Sequence, residues 1–283
     1  MSERTRSLRS WAGSSMTRFL SNSFGPPEHV LAFVPVPEKP DWVPDDAKVD
    51  YLYWLTLLKR LQDDFGLRPS NFLEVGANCA QDAWFISRQL NLEPAEVAVV
   101  EPVRTNAELI RRNTQFRLFE CAVTDGGSEV RLWVPKEDEG LWGMASLGER
   151  NVGDADAFRP VTVASMTGQE IVDELNWSHI DLLKVDVEGF SLQVLRSFGQ
   201  SLSRIRIIQI ETERVELWAG QETEGDVFTI LRDTGFTMIE YQLAHDGVQA
   251  DSVWINSADI GTRVFDRQRN EWKELTTKDG STQ

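Results

Sequence analysis

The spacing of apolar residues predicts one helix near the start of the chain and an α/β alternation after it. Residues 26–46 are rich in proline and predict an irregular connector. A helical period follows, carried by Tyr51, Trp54, Leu55, Leu58 and Leu61. Asp45 or Asp46 is placed to cap this helix, and Gly66 stands where a left-handed C-terminal cap is expected.

Short apolar runs then alternate with helical segments. The expected strands cover residues 72–75, 97–100, 117–123, 180–187, 205–210, 236–243 and 252–256. The expected helices cover residues 81–90, 105–112, 168–175, 192–198 and about 226–232. This order predicts a mostly parallel sheet with helices on both faces, closed by an antiparallel hairpin at one edge.

The same pattern divides the chain into three segments. We expect an N-terminal arm or lid over residues 1–46, one α/β domain over 47–257 and a polar C-terminal tail over 258–283. Residues 1–25 are rich in arginine and serine, as targeting peptides are, although a mobile arm is the simpler interpretation. Residues 136–160 predict a long polar loop of the kind that serves as a lid or binding loop.

Composition narrows the classes of partner. The chain has 283 residues, of which 45 are acidic and 29 basic, for a formal net charge of −16. Such a surface repels phosphate backbones and anionic lipid, so we expect a small-molecule substrate rather than nucleic acid or a membrane. The two cysteines, Cys79 and Cys121, form neither a disulfide framework nor a C-x-x-C zinc unit, which favours a reducing cytoplasm.

The first motif that indicates a ligand-binding site lies where the strand over 72–75 ends. Gly76 permits a tight turn and close approach of a ligand, and Asn78 with the next helix supplies donors. The full G-x-G-x-x-G pattern is missing, which counts against a nicotinamide dehydrogenase.

Acidic residues follow two further strands of the predicted sheet. Glu101 follows the second strand, where a carboxylate can accept the two ribose hydroxyls of an adenosine. Asp186 and Glu188 follow the strand that starts at residue 180, and acids at a crevice favour a cationic or donor-rich ligand.

Taken together, these motifs resemble a known family over about residues 70–243. Glu-Val-Gly-Ala-Asn at 74–78, Glu-Pro at 101–102 and Asp-Leu-Leu-Lys-Val-Asp-Val-Glu-Gly at 181–189 are similar to the FkbM-type S-adenosylmethionine-dependent methyltransferases. The resemblance implies a class I methyltransferase fold, a Rossmann-like sheet of seven strands with the last antiparallel, preceded here by a helical extension. It also implies methyl transfer, usually to oxygen. The chain departs from the family pattern at Cys79-Ala80 and at Phe190-Ser191.

The resemblance also implies roles for individual residues. Glu74, Gly76 and Asn78 would surround the methionine part of the cofactor. Glu101, followed by Pro102, would bind the ribose, and the backbone near Cys121 and Ala122 would meet the adenine. Asp186 would lie where methyl donor and acceptor meet.

Catalytic and substrate-binding candidates complete the hypothesis. Asp186 and Glu188 are the candidate bases, with His179 and His245 as weaker ones. We expect substrate contacts from Trp142, Met144, Ser146, Glu211 and Trp218. A divalent ion held by Asp186 and Glu211 is a less favoured alternative.

The sequence therefore predicts an S-adenosylmethionine-dependent O-methyltransferase. Its acceptor would be the hydroxyl or carboxyl group of a natural product or sugar. The alternative is a non-catalytic cofactor-binding or interaction protein on the same fold. The oligomeric state stays open, and a homodimer is compatible with the sequence.

Overall fold

The computed structural model describes residues 38–44, 47, 50–136, 143–151, 155–244, 247–260, 263–266 and 271–274. Within them, one large sheet and two small ones are built from β1 Phe72–Val75, β2 Val97–Val100, β3 Arg117–Phe119, β4 Ala122–Val123, β5 Glu129–Pro135, β6 Phe158–Met166, β7 Ile180–Val185, β8 Ile205–Glu213, β9 Phe236–Leu243, β10 Gln249–Asn256, β11 Arg263–Asp266 and β12 Glu271–Glu274.

The large sheet has seven strands in the order β3-β2-β1-β7-β8-β10-β9. Neighbouring strands from β3 to β8 are parallel, and β10 runs antiparallel to both β8 and β9. The chain order reverses between β1 and β7, which is where an open α/β sheet forms its ligand crevice. The expected class I methyltransferase sheet, with its antiparallel edge, is confirmed.

Helices cover both faces of this sheet. Their bounds are α1 Tyr51–Phe65, α2 Gln81–Leu90, α3 Arg104–Asn113, α4 Gly168–Leu175, α5 Ser191–Ser197, α6 Glu224–Asp233 and α7 Ser257–Ile260. One core cluster joins α4, α5 and α6 to the sheet, and a second joins α1 and α2 to the opposite face. The continuous apolar strands are explained by this two-sided burial.

The N-terminal helical extension is part of the second core. Leu57 and Leu61 of α1 are fully buried, and each such side chain contributes about 1.5–3 kcal/mol. The helix is capped by Asp50, whose side chain accepts a hydrogen bond from the Tyr53 N–H at 2.9 Å, and it ends at Gly66 with φ of 67°. Asp45 and Asp46, the caps expected from the sequence, lie outside the described residues.

Two parts of the fold differ from the sequence expectation. The strand expected over 117–123 is divided, because the chain leaves the large sheet after Phe119 and Ala122–Val123 pairs with β6. Strands β4, β6 and β5 thus form a separate three-stranded sheet. Toward the C-terminus, α7 and the antiparallel pair β11–β12 occupy part of the stretch expected to be a polar tail.

Within the described ranges, no helix combines the length and apolar character that a bilayer crossing requires.

Candidate functional site

A cavity of about 530 Å³ lies where the carboxyl ends of β1 and β2 face the three-stranded sheet. Its walls are largely apolar, with valines from β2, β5 and β6 among them. The residues expected at the cofactor that line it are Gly76, Asn78, Glu101, Pro102, Cys121, Ala122 and Asp186. The cavity therefore brings together residues from three separate sequence motifs.

Gly76 is required by the approach of two strands. Its φ is 85°, and a Cβ added there would lie 1.8 Å from the backbone oxygen of Asp186. The Asp186 N–H donates to the Val75 carbonyl at 3.0 Å, which holds the two strand ends together. The space beside Gly76 that we expected a ligand to use is filled on this side by the protein backbone.

Glu101 connects the first two motifs. One carboxylate oxygen accepts the Asn78 backbone N–H at 2.8 Å, and the other accepts the Val103 N–H at 2.8 Å and the Asn106 amide at 3.4 Å. The side chain is 4% exposed. Burial raises the pKa of Glu101 to about 7, while these hydrogen bonds oppose the shift. The result is a fixed carboxylate at the cavity wall, suited to hydroxyl donors.

Lys184 is the centre of a buried ion network that the sequence did not reveal. Its ammonium lies 3.0 Å from Glu74, 2.6 Å from Asp82 and 3.2 Å from Asp186. Glu74 is fully buried and also accepts the Ala83 N–H at 3.1 Å. Burial raises the pKa of Glu74, and the Lys184 charge opposes that shift. Glu74 thus anchors α2 and Lys184, and it is not among the residues that line the cavity.

Beyond Asp186 the polar side chains are nearly all acidic. Oxygens of Glu188, Glu211 and Glu213 lie within 4.8 Å of one another, which is a spacing that could hold a metal ion. Burial and the neighbouring carboxylates raise the pKa of Glu188 to about 8 and that of Glu213 to about 7. The same two causes raise the pKa of Asp251 on β10 to about 7. Within the described residues this trio has the spacing of a metal site; it includes Glu211 of the alternative pair and not Asp186.

Residues 143–151 close over the end of β7. Ser146 is 1% exposed and donates its hydroxyl to the Glu188 carbonyl at 2.6 Å. Backbone hydrogen bonds join Asn151 to Leu217 and Ala219 to Glu149, so this loop is tied to the segment after β8. The Arg150 guanidinium stacks on the Trp218 ring, 4.5 Å from its centroid. The loop is a packed cover for Glu188.

Trp218 and Met144, which we expected to contact the substrate, are packed against other parts of the protein. Trp218 is fully buried and stacks edge to face against Phe158, with ring centroids 5.3 Å apart. A Cβ on Gly189 would lie 2.7 Å from the Trp218 ring, so the indole fills the space beside the Asp186–Gly189 turn. Met144 packs against the same cluster. These side chains pack behind the Asp186–Gly189 turn. The faces of Trp218 and Met144 that we expected to contact a substrate instead contact other side chains of this cluster.

The other predicted residues are placed as follows. Trp142 and His245 lie outside the described residues. Glu211 is half-buried within the acidic group and accepts the Gln249 amide at 3.0 Å. His179, the weaker base candidate, lies on the amino side of β7, 3.2 Å from Asp181, and is not among the residues that line the cavity. Cys79 is fully buried, and its thiol lies 3.1 Å from the Gln81 side-chain oxygen.

The sequence contained signals for the residues that were missed. Lys184 stands two positions before Asp186, so both project to the same side at the end of a strand that is otherwise apolar apart from Asp181. A lysine in a buried strand requires a carboxylate partner, and Glu74 is its register neighbour on β1. Asp82 could not be assigned from sequence, because its role depends on how α2 packs against the sheet.

The cavity suits S-adenosylmethionine. Its apolar walls fit a flat adenine, and Glu101 offers acceptors for ribose hydroxyls. The buried side-chain oxygen of Asn78 has no hydrogen-bond partner among the described residues, which leaves an acceptor for a donor such as the cofactor's ammonium.

Comparisons with known proteins identify the family. A family model described as the methyltransferase FkbM domain matches residues 74–238. The 2-O-methyltransferase NoeI of Sinorhizobium fredii (strain NBRC 101917 / NGR234) is 27% identical over 163 residues, which are 53% of this chain and 65% of that relative. The chain thus spans less than two thirds of the length of that curated relative.

Solved structures with similar folds include two methyltransferases. Magnesium protoporphyrin IX methyltransferase from Synechocystis PCC 6803, with bound SAM, has a TM-score of 0.43 at 10% identity and covers 77% of this chain and 88% of its own. The methyltransferase FkbM from Methylobacillus flagellatus KT has a TM-score of 0.41 at 13% identity and covers 74% and 55%. Since the family model matches more than half of the 283 residues, the chain belongs to the FkbM methyltransferase family.

Proposed function

We propose that this S-adenosylmethionine-dependent methyltransferase transfers the methyl group to oxygen, on a hydroxyl or carboxyl group of a small molecule such as a natural product or sugar. The observation that carries the proposal is the position of Asp186. It lines the cofactor cavity on one side and faces the acidic group of β8 and β10 on the other. The name of NoeI, a 2-O-methyltransferase, supports oxygen as the acceptor atom. A cytoplasmic location stays a prediction.

We propose that the protein accelerates methyl transfer mainly by positioning the cofactor and the acceptor. When bound, S-adenosylmethionine supplies a methyl group on a positively charged sulfur. Glu101 and Asn78 would hold the cofactor, and Ser146 of the loop fixes the turn after β7 through its hydrogen bond to the Glu188 carbonyl. Holding donor and acceptor in line can contribute on the order of 7–11 kcal/mol.

Asp186 is the group we assign to the proton of a hydroxyl acceptor. Its side chain is 34% exposed, so an acceptor can reach it, and Lys184 fixes it from the buried side. Glu188 is the second base candidate, because burial and Asp186 raise its pKa to about 8 and its ionised form, which predominates above that pH, binds a proton more strongly than an ordinary carboxylate. A carboxyl acceptor needs no base, since it is ionised at neutral pH. Neither role requires a metal ion.

The experiment has a binding stage and a transfer stage. Calorimetry should detect binding of S-adenosylhomocysteine and no binding of NAD; the opposite preference would refute the cofactor. Labelled methyl transfer from S-adenosylmethionine into extracts of the source organism then identifies acceptors without prior choice.

Asp186→Asn tests the catalytic assignment. We expect it to keep the affinity for S-adenosylhomocysteine within about tenfold, or about 1.4 kcal/mol, and to lose nearly all transfer. Asp173→Asn, on the exposed side of α4, is the matched control and should retain transfer. Full transfer by Asp186→Asn would remove Asp186 from the mechanism.

A further inference from the structure

We propose that the acceptor molecule carries a protonated amine, which binds in an acidic chamber beside Asp186. This inference rests on the proposed function and names the substrate class of the same site. We give the name acceptor chamber to the cluster formed by Asp186, which follows β7, Gln209 and Glu211 of β8, Asp251 of β10 and Tyr53 of α1.

Strand register places the polar members of the chamber on one face of the sheet. Lys184 pairs in register with Gln209, and Glu211 pairs with Asp251. Asp186 and Glu211 each follow two residues later on the same strand face. Tyr53 belongs to α1, the helix that packs on this face, and burial, followed by the charges of Glu240 and Asp251, raises the pKa of its hydroxyl.

Two buried polar atoms in the chamber lack a partner among the residues that the structure describes. Gln209 is 2% exposed; its amide nitrogen donates to Asp251 at 2.7 Å, whereas its oxygen accepts no hydrogen bond. The hydroxyl of Tyr53, a residue that is 9% exposed, is also unpaired. Buried polar atoms are normally satisfied, so these two indicate a ligand with hydrogen-bond donors.

The charged groups in the chamber also favour a ligand with hydrogen-bond donors, because negative charges outnumber positive ones. The groups around Glu211 are carboxylates: oxygens of Glu188, Glu211 and Glu213 lie within 4.8 Å of one another, and Asp251 is the register neighbour of Glu211 on β10. The nearest ammonium, that of Lys184, is already shared by Glu74, Asp82 and Asp186. A bound cation would relieve this repulsion.

An alkylammonium fits both observations. It carries a positive charge and three donors on one atom, which suits a chamber of carboxylates and an amide oxygen. A neutral polyol supplies donors but leaves the charge unbalanced. Glu211 and Asp251 are only half-buried, so a ligand can reach them, and the net charge of −16 attracts cations to the protein.

The first test uses two cofactor analogues that differ in charge at the transfer point. Sinefungin carries a protonated amine where the methyl donor has its methyl-bearing sulfur, whereas S-adenosylhomocysteine is neutral there. Calorimetry in EDTA, which keeps divalent ions off the carboxylates, should give sinefungin an affinity at least about tenfold higher. Glu211→Gln and Asp251→Asn should each reduce this preference several-fold and leave the affinity for S-adenosylhomocysteine unchanged.

The second test uses an acceptor-like pair. With S-adenosylhomocysteine bound, saturation-transfer NMR should detect glucosamine and not glucose, and the signal should be lost in Glu211→Gln. Glu129→Gln, which removes one exposed carboxylate of β5, is the control and should behave as wild type in both tests.

The outcomes separate the two proposals. If S-adenosylhomocysteine binds but sinefungin binds no better, and glucosamine behaves as glucose does, the amine inference is wrong and the proposed function stands. If S-adenosylhomocysteine itself does not bind, both fall. The wild-type comparison decides the point even where a variant fails to fold.

Discussion

Replacing Lys184 by methionine tests the buried ion network most directly. Methionine keeps the length of the side chain and its apolar stem but removes the charge that three carboxylates share. Lys184 is 7% exposed, and its partners Glu74 and Asp82 are 0% and 10% exposed at the side chain. The variant therefore leaves two buried carboxylates without their cation.

The expected loss follows from that burial. Removing one partner of a buried ion pair costs about 3–5 kcal/mol, because the other charge stays desolvated. Asp186 adds little, since its side chain is 34% exposed and water screens it. A protein of this kind has a free energy of unfolding of about 5–15 kcal/mol, so the variant should lose a large part of it.

The assay is urea unfolding followed by far-UV circular dichroism at pH 8. Lys59→Met is the matched control: Lys59 pairs with Asp63 on the surface, with side chains 56% and 52% exposed. That variant should lose about 0–1 kcal/mol. At pH 5.5 the Lys184→Met loss should shrink, because burial raises the pKa of Glu74 and this carboxylate then takes up a proton. A loss at pH 8 no larger than that of Lys59→Met would refute the reasoning.

Two other predictions concern the cofactor and pH. Glu101→Ala should lower the affinity for S-adenosylhomocysteine about 10- to 150-fold, since charge-assisted hydrogen bonds contribute roughly 1.5–3 kcal/mol; unchanged affinity by calorimetry would disprove the ribose assignment. Burial raises the pKa of Glu101 and Glu213 from 4.5 to about 7 and that of Glu188 to about 8, so the folded protein binds protons that the unfolded chain releases. The contribution of these three groups to the free energy of unfolding is fully present below about pH 4.5 and is lost as the pH rises to about 8. Calorimetric unfolding without ligand should therefore give a higher Tm at pH 5.5 than at pH 8.5, and the reverse order would contradict these shifts.

The sheet and the cofactor wall were predictable because they depend on local signals. Apolar runs fix the strands, and their order places Glu101 and Asp186 at carboxyl ends that face one crevice. The division of the strand over 117–123 was not predictable, because it depends on pairing with β6, which lies far along the chain.

The residues around Asp186 and Glu188 were also harder to predict, because their positions depend on contacts between distant parts of the chain. Trp218 and Ser146 lie in loops, where an aromatic or small residue gives no indication of the surface that it meets. The Lys184 network joins three elements through tertiary contacts, and only the presence of a lysine within an apolar strand indicated that a partner exists. Similarly, Gly76 was correctly placed at a turn, but the backbone that requires it belongs to β7.

The position of β7 in the middle of the large sheet has a consequence for kinetics. The cofactor cavity lies on the β1–β3 side of Asp186, and the acidic residues of β8 and β10 lie on the other side. A methyltransferase divided in this way does not require one ligand to pass through the site of the other. If the acceptor binds in the acidic chamber as we propose, the used cofactor can be exchanged while the acceptor stays bound, and successive methylations of one molecule need no release between them.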